Sequence, residues 1–169
     1  MNLDPRVMEY LLPIDSHEAS DAVVDKLEAK FDRQGFGIWA VEVPGVAPFI
    51  GFVGLNIPSF TAAFTPCVEI AWRLAFDYWN QGFATEAARV AVGYGFEKVG
   101  LSEIVAFTAP ANVRSRRVME KLGMTYNPAD DFDYPGIPDG HPLRRHVLYR
   151  LVGATKNRTR RHKQLVSGH

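Results

Sequence analysis

The residues with the most chemical content lie in one run, Val68-Glu-Ile-Ala-Trp-Arg-Leu-Ala-Phe-Asp-Tyr-Trp-Asn-Gln-Gly-Phe-Ala-Thr-Glu-Ala-Ala88, which passes from a strand pattern through a glycine-containing turn into a helix pattern. The first turn of a helix leaves backbone N–H groups unpaired, and the helix dipole adds partial positive charge there, so such a start binds phosphate. Gly82 permits close approach of a diphosphate to the backbone, and Ala84 keeps the following turn uncrowded. No Gly-Lys-Ser/Thr follows, which excludes a Walker loop, and Gly82 stands alone, which excludes a dinucleotide fingerprint. The spacing points to a diphosphate ligand outside those two classes.

The surrounding elements must position this turn. Ser16 to Gln34 reads as a helix capped by Ser16 and stopped by Gly35 and Gly37, with Ala19, Val23, Leu27 and Phe31 at four-residue spacing. Ile38–Val43 and Phe49–Asn56 are β-rich runs joined by a Pro/Gly turn, which predicts a hairpin. From Val68 to Leu74 apolar and polar residues alternate, so that Glu69, Ala71 and Arg73 share one face of a strand and Val68, Ile70, Trp72 and Leu74 the other. Phe83 to Val99 reads as a helix whose stripe of Ala84, Ala88, Ala91 and Gly95 suits close packing on a sheet. A short strand over Ser102–Thr108, a helix over Asn112–Leu122 closed by Gly123, a loop over Asn127–Pro142 and a strand over Arg145–Val152 complete the domain. This order defines one α/β domain with a mixed sheet.

The chain has 169 residues with 47% hydrophobic and 12% aromatic side chains, enough for one sizeable core, which excludes disorder of the whole chain. The formal charge of +0 combines an acidic body and a basic end. Residues 1–155 hold 14 basic against 19 acidic side chains, while Lys156, Arg158, Arg160, Arg161 and Lys163 stand without acids in the last stretch. No global field therefore selects a nucleic acid or a membrane, and the tail reads as solvated charge. One cysteine, Cys67, excludes an intramolecular disulfide and a cysteine-based zinc site, and reads as a core or strand-edge thiol of a cytoplasmic protein. No signal-peptide or membrane-spanning pattern is present.

Three motifs in order carry a resemblance. Trp79-Asn-Gln-Gly-Phe-Ala84 resembles the pyrophosphate loop of the GCN5-related N-acetyltransferases, Arg/Gln-x-x-Gly-x-Gly/Ala, with Trp79 in the first position as in the RimJ/RimL-type branch. Glu69-Ile-Ala-Trp-Arg-Leu74 with Tyr78-Trp79, and Asn112-x-x-Ser115-x-x-Val-Met-Glu-Lys-Leu-Gly-Met124, also match that branch, so that the likeness spans about residues 35–152. It implies an α/β (α+β) fold over 1–152 with a mostly antiparallel sheet splayed at the cofactor site and helices on both faces, and leaves 153–169 as a flexible basic extension. It implies acetyl-CoA as co-substrate, no metal, and transfer of acetyl to a primary amine of a protein N-terminus or small molecule. Main-chain groups of Trp72, Arg73 and Leu74 would hold the pantetheine arm, and N–H groups of Asn80, Gln81, Gly82, Phe83, Ala84 and Thr85 the pyrophosphate. Asn112 would bond the pantetheine chain, and Ser115 would lie near the sulfur. Edge strands of this fold also pair between copies, so a homodimer is compatible with the resemblance.

Two departures matter. The family's usual thiolate-protonating tyrosine is replaced by Met119, which leaves Ser115, one turn earlier on the same helix face, as the candidate acid. The branch normally begins with a strand of the kind Leu-x-Leu-Arg before the first helix, whereas here only Arg6-Val-Met-Glu-Tyr-Leu-Leu12 stands there, so that the start is truncated or the strand is lost, in a region on which the acceptor pocket draws. An amine with a pKa of about 10 is almost wholly protonated at pH 7, so a base is required, and Glu69 is the candidate, with Asp131 and Asp133 as runners-up. His141 and His146 read as surface or acceptor-pocket residues and not as metal ligands. The competing reading is a catalytically degenerate module that binds acyl-CoA without turnover.

Overall fold

A computed structural model describes residues 1–13 and 16–153. The basic tail from Lys156 to Lys163 lies outside the described residues. The elements are α1 (Pro5–Met8), α2 (His17–Gln34), β1 (Ile38–Val43), β2 (Ala47–Asn56), β3 (Glu69–Leu74), α3 (Phe83–Tyr94), β4 (Glu103–Thr108), α4 (Val113–Lys121), β5 (Thr125–Tyr126), β6 (Phe132–Asp133) and β7 (Arg145–Val152). The strands form one seven-stranded sheet in the order β1-β2-β3-β4-β7-β5, with β6 also on β7. Every pairing is antiparallel except β3 with β4, which run parallel.

That parallel pair is the feature that shapes the molecule. β4 pairs with β7 over six positions, from Glu103↔Val152 to Thr108↔Val147, whereas β3 meets β4 at the single position Glu69↔Val105. The Val105 N–H donates to the Val68 carbonyl at 2.9 Å, and beyond that point the two strands separate. The splayed sheet expected from the resemblance is present.

The two faces are packed differently. Ile70, Val53, Leu55, Ile104, Ala106, Val147 and Tyr149 form the main core with Ala88, Ala91 and Val92 of α3 and Met119 of α4. The small-residue stripe explains how α3 lies so close: a Cβ at Gly95 would stand 2.9 Å from Ile104 Cδ1 and 3.1 Å from Leu55 Cδ1. The opposite face carries a second, aromatic cluster of Phe60, Phe64, Phe107, Phe132, Tyr134 and His146. Segments 57–68 and 127–144 supply four of its six members, β4 supplies Phe107 and β7 supplies His146.

Three expectations change in detail. The helix from Phe83 ends as α-helix at Tyr94 and continues to Val99 as one π turn, closed by Gly100. The segment Asn127–Pro142 is not all loop, since Pro128–Asp130 form a 3₁₀ turn and β6 pairs Phe132 with His146. The cap of α2 is as read, with Ser16 Oγ accepting from Ala19 N–H at 3.0 Å, but its apolar stripe is not a core face. Val23 is 44% exposed, and only Leu27 and Phe31 of the expected four are partly covered. No strand precedes β1 among the described residues; α1 stands there instead, and Arg6, Val7, Tyr10, Leu11 and Leu12 line the cavity described next.

Candidate active site

The gap between β3 and β4 opens into a cavity of about 670 Å³. It is lined on one side by the start of α3 and by α4, and on the other by residues 6–12, β3, Phe107, Tyr134 and His146. It therefore has two chemically distinct halves.

The first half is suited to an anion. Asn80 and Gly82 both sit at positive φ, 59° and 89°, so the chain turns twice in left-handed conformation just before α3. Glycine adopts this at no cost, and asparagine is among the few side chains that tolerate it. No side chain caps α3. Its first intrahelical bond runs from Glu86 N–H to the Gly82 carbonyl, which leaves the N–H groups of Phe83, Ala84 and Thr85 without helix partners at the cavity wall. Trp79 braces the turn, its Nε1 donating to the Leu74 carbonyl at 2.8 Å while the Arg114 guanidinium stacks 5.1 Å from its ring. Arg114, Arg117 and Lys121, all on α4, add positive charge to this half.

Asn112 and Ser115 form a linked pair at the start of α4. Asn112 Oδ1 accepts from Ser115 N–H at 3.2 Å, and its Nδ2 donates to Thr108 Oγ1 at 3.0 Å and to Ser115 Oγ at 3.2 Å. Asn112 is thus a helix cap with both amide protons in use, which leaves only a carbonyl lone pair for a ligand. The bond it gives to Ser115 Oγ leaves that hydroxyl's own proton free to be donated. Met119, where the resemblance would place tyrosine, is buried in the main core.

The second half centres on Glu69. Its Oε1 accepts from Asn56 Nδ2 at 2.6 Å, and Lys30 Nζ reaches the other end of that amide, Asn56 Oδ1, at 2.9 Å and the Ile57 carbonyl at 3.1 Å. Burial pushes the Glu69 carboxyl above the usual carboxylate range, against the opposing pull of the Asn56 hydrogen bond and the Lys30 charge. Tyr134 and His146 stand beside it on the aromatic face, their rings 5.1 Å apart. Burial raises the Tyr134 hydroxyl, with the Glu69 charge adding to the effect, and lowers His146, whose Nδ1 lies 3.3 Å from the Arg144 carbonyl.

The structure brings Glu69, Trp72, Arg73, Leu74, Asn80, Gly82, Phe83, Ala84, Thr85, Asn112 and Ser115 to this one cavity. The Gln81 side chain is turned from the cavity, its Nε2 donating to the Asp77 carbonyl at 2.7 Å, which leaves the expectation for its backbone N–H, between Asn80 and Gly82 in the same turn, untouched. Neither alternative base faces it either: Asp131 accepts from the Tyr126 hydroxyl, and Asp133 is held by Arg144 and Arg145. The two histidines diverge, His146 lining the cavity and His141 accepting from Leu143 N–H in an exposed loop. Among the described residues no group of three or more His, Cys, Asp or Glu could hold a metal ion. The sequence reading missed Tyr134 and the basic face of α4; only the latter had a signal, Arg114-Ser-Arg-Arg117 flanking the chosen serine.

The β3/β4 split thus holds a cavity with a free helix N-terminus on one side and a half-buried carboxylate on the other. Residues 1–125 match the Acetyltransferase (GNAT) domain, and the chain belongs to that family. It is 29% identical over 177 residues to the FsC-acetyl coenzyme A-N(2)-transacetylase of Aspergillus fumigatus, a match covering 95% of this chain and 73% of that protein. A GNAT-family acetyltransferase from Bacillus anthracis superposes with a TM-score of 0.68 at 26% identity, covering 89% of this chain and 84% of the other. The fold is shared too with yncA from Salmonella typhimurium, solved with acetyl-CoA, at a TM-score of 0.64 and 17% identity over 82% of this chain and 76% of that one. The family's activity is acetyl-CoA-dependent N-acetylation.

Proposed function

We propose that this chain acetylates a primary amine by direct attack within a ternary complex, with Glu69 as proton acceptor and Ser115 as donor to the departing thiolate. The observation that carries the reading is that the carboxylate, the serine hydroxyl and the free N–H groups of Phe83–Thr85 border one cavity across the β3/β4 split.

The N–H groups at the start of α3 bind the pyrophosphate, and the unpaired edge of β3 from Trp72 to Leu74 takes the pantetheine arm as a neighbouring strand would. This places the acetyl group toward Glu69. An ammonium acceptor loses its proton to Glu69, directly or through water, and the free amine attacks the thioester carbon. A carboxylate raised by burial is a better acceptor than an ordinary one, and the Asn56–Lys30 chain holds it in place. The amine nitrogen forms its bond to the acetyl carbon, the carbon–sulfur bond breaks, the thiolate takes the Ser115 proton, and the surplus proton on the nitrogen passes to the serine oxygen, directly or through water, restoring the hydroxyl. A thiol with a pKa of about 8.5 is a moderate leaving group, so a hydroxyl suffices where the tyrosine is absent.

Trp79 and the Asn112-x-x-Ser115 motif support a RimJ/RimL-like assignment, which raises protein N-terminal amines beside small amines as acceptors in a cytoplasmic setting. A non-catalytic acyl-CoA-binding module is not favoured, since the curated relative is named as a transferase. Two measurements test the proposal: a thermal shift with acetyl-CoA, and thiol release from acetyl-CoA against a panel of amines. A clear shift with amine-dependent release is expected; a shift with no release from any amine would overturn the catalytic reading.

A further inference from the structure

Resting on that reading, we propose that the acceptor carries an anionic oxygen group, carboxylate or phosphate, held by the side chain of Arg73 at the end of the acceptor half away from Glu69. Arg73 lies on the same face of β3 as Glu69, with Ala71 between them, and all three line the cavity. Ala71 leaves room over the strand, so an acceptor lying along β3 has a carboxylate at one end and a guanidinium at the other. At a rise of roughly 3.3 Å per residue, an amine over Ala71 is about 7 Å along the strand from either residue.

The environment of Arg73 is incomplete without such a group. Arg6, Arg114, Arg144, Arg145 and Arg150 each meet a carboxylate. Arg73 is half-buried, rests 5.3 Å from the Phe52 ring and donates from Nη1 to Asn2 Oδ1 at 3.0 Å, with no acidic partner among the described residues. Burial without a counter-charge depresses its pKa. A guanidinium offers five N–H donors in a planar fork, so the bond to Asn2 leaves donors enough for a two-oxygen anion in the cavity. The cofactor's phosphates already have the start of α3 and the cations of α4, which leaves Arg73 for the acceptor.

The test uses the full chain with matched acceptors: 6-aminohexanoate, 6-aminohexylphosphonate and hexylamine. The wild-type kcat/KM should favour at least one anionic acceptor over hexylamine by about 10–100-fold, the range for a charge-assisted pair. Which of the two wins separates carboxylate from phosphate. In Arg73→Met that ratio should collapse to within about threefold of one, and Arg73→Lys should retain part of it. Calorimetric titration of the same three compounds onto the CoA complex gives the same comparison without turnover, so a failed catalytic reading and a failed anion site are told apart. Equal or better use and binding of hexylamine by the wild type, or an unchanged ratio in Arg73→Met, would overturn the proposal. So would a loss of acetyl-CoA affinity in Arg73→Met matching the loss in acceptor KM, since Arg73 would then serve the cofactor.

Discussion

Replacing Glu69 by Gln removes a proton acceptor while keeping the shape that holds it. The Asn56 Nδ2 donor, 2.6 Å from Oε1, finds a carbonyl oxygen in glutamine as it does in the carboxylate, and Lys30 still engages the far side of Asn56. The change is therefore confined to charge and basicity. General-base catalysis contributes at least about a hundredfold in typical cases, or about 2.7 kcal/mol of barrier, so kcat should fall by that factor or more. The acetyl-CoA Kd should stay within about twofold, because the cofactor half is untouched. The pH dependence gives an internal check. Because burial raises the Glu69 pKa, the acid limb of wild-type kcat/KM should lie above the ordinary value of about 4.3, and the limb should vanish in Glu69→Gln. Stability moves the other way. A carboxyl with a raised folded-state pKa lends stability that is full below its unfolded value and lost as pH rises through the folded value. At pH 7 the glutamine variant should therefore be at least as heat-stable as the wild type, and its relative advantage should shrink below about pH 4. Steady-state kinetics with thermal denaturation at both pH values decides the matter. A Glu69→Gln enzyme within threefold of wild-type kcat, with the acid limb intact, would refute the assignment.

Other substitutions probe other parts of the site. Gly82→Asp forces a β-carbon residue to φ 89° and sets a negative charge beside the free N–H groups, so acetyl-CoA affinity measured by calorimetry should drop tenfold or more. Ser115→Ala should lower kcat by about tenfold with a smaller change in acetyl-CoA KM, as expected for a group acting on the leaving thiolate; an unchanged kcat would leave that step to water. The Cys67 thiol is pushed up to about 11, chiefly by burial and then by the Glu69 and Glu103 charges, so it should resist iodoacetamide at pH 7 in the folded protein and react on unfolding. Alkylation at the rate of a free thiol would contradict that environment.

The chain's periodicities were legible because each matches what an element buries. The alternation from Val68 to Leu74 placed Ile70 and Leu74 in the core and Glu69 and Arg73 toward the cavity. The stripe ending at Gly95 marked where α3 touches the sheet. The same logic failed for α2, where four-residue spacing named a face that the described fold leaves largely in solvent. Periodicity specifies a helix and an apolar side but not what covers it. The π turn was equally hidden, since a shift of hydrogen-bond partners over Gly95–Val99 leaves no separate trace in apolar spacing. Within the site, motif residues were found because their backbone needs special residues, as at Gly82. Tyr134 was not, because only the β6–β7 pairing carries that segment beside His146 and Glu69.

The single pair Glu69↔Val105 makes this sheet two half-sheets joined at one stitch, β1-β2-β3 and β4-β7-β5. A ligand bound between them as proposed would bridge the two halves, so that its binding and completion of the sheet would be one equilibrium. A metabolite at a hundred times its dissociation constant adds about 2.7 kcal/mol to stability, a sizeable part of what holds a domain of this size folded. The supply of acyl donor would then set how long each copy persists as well as how fast it works.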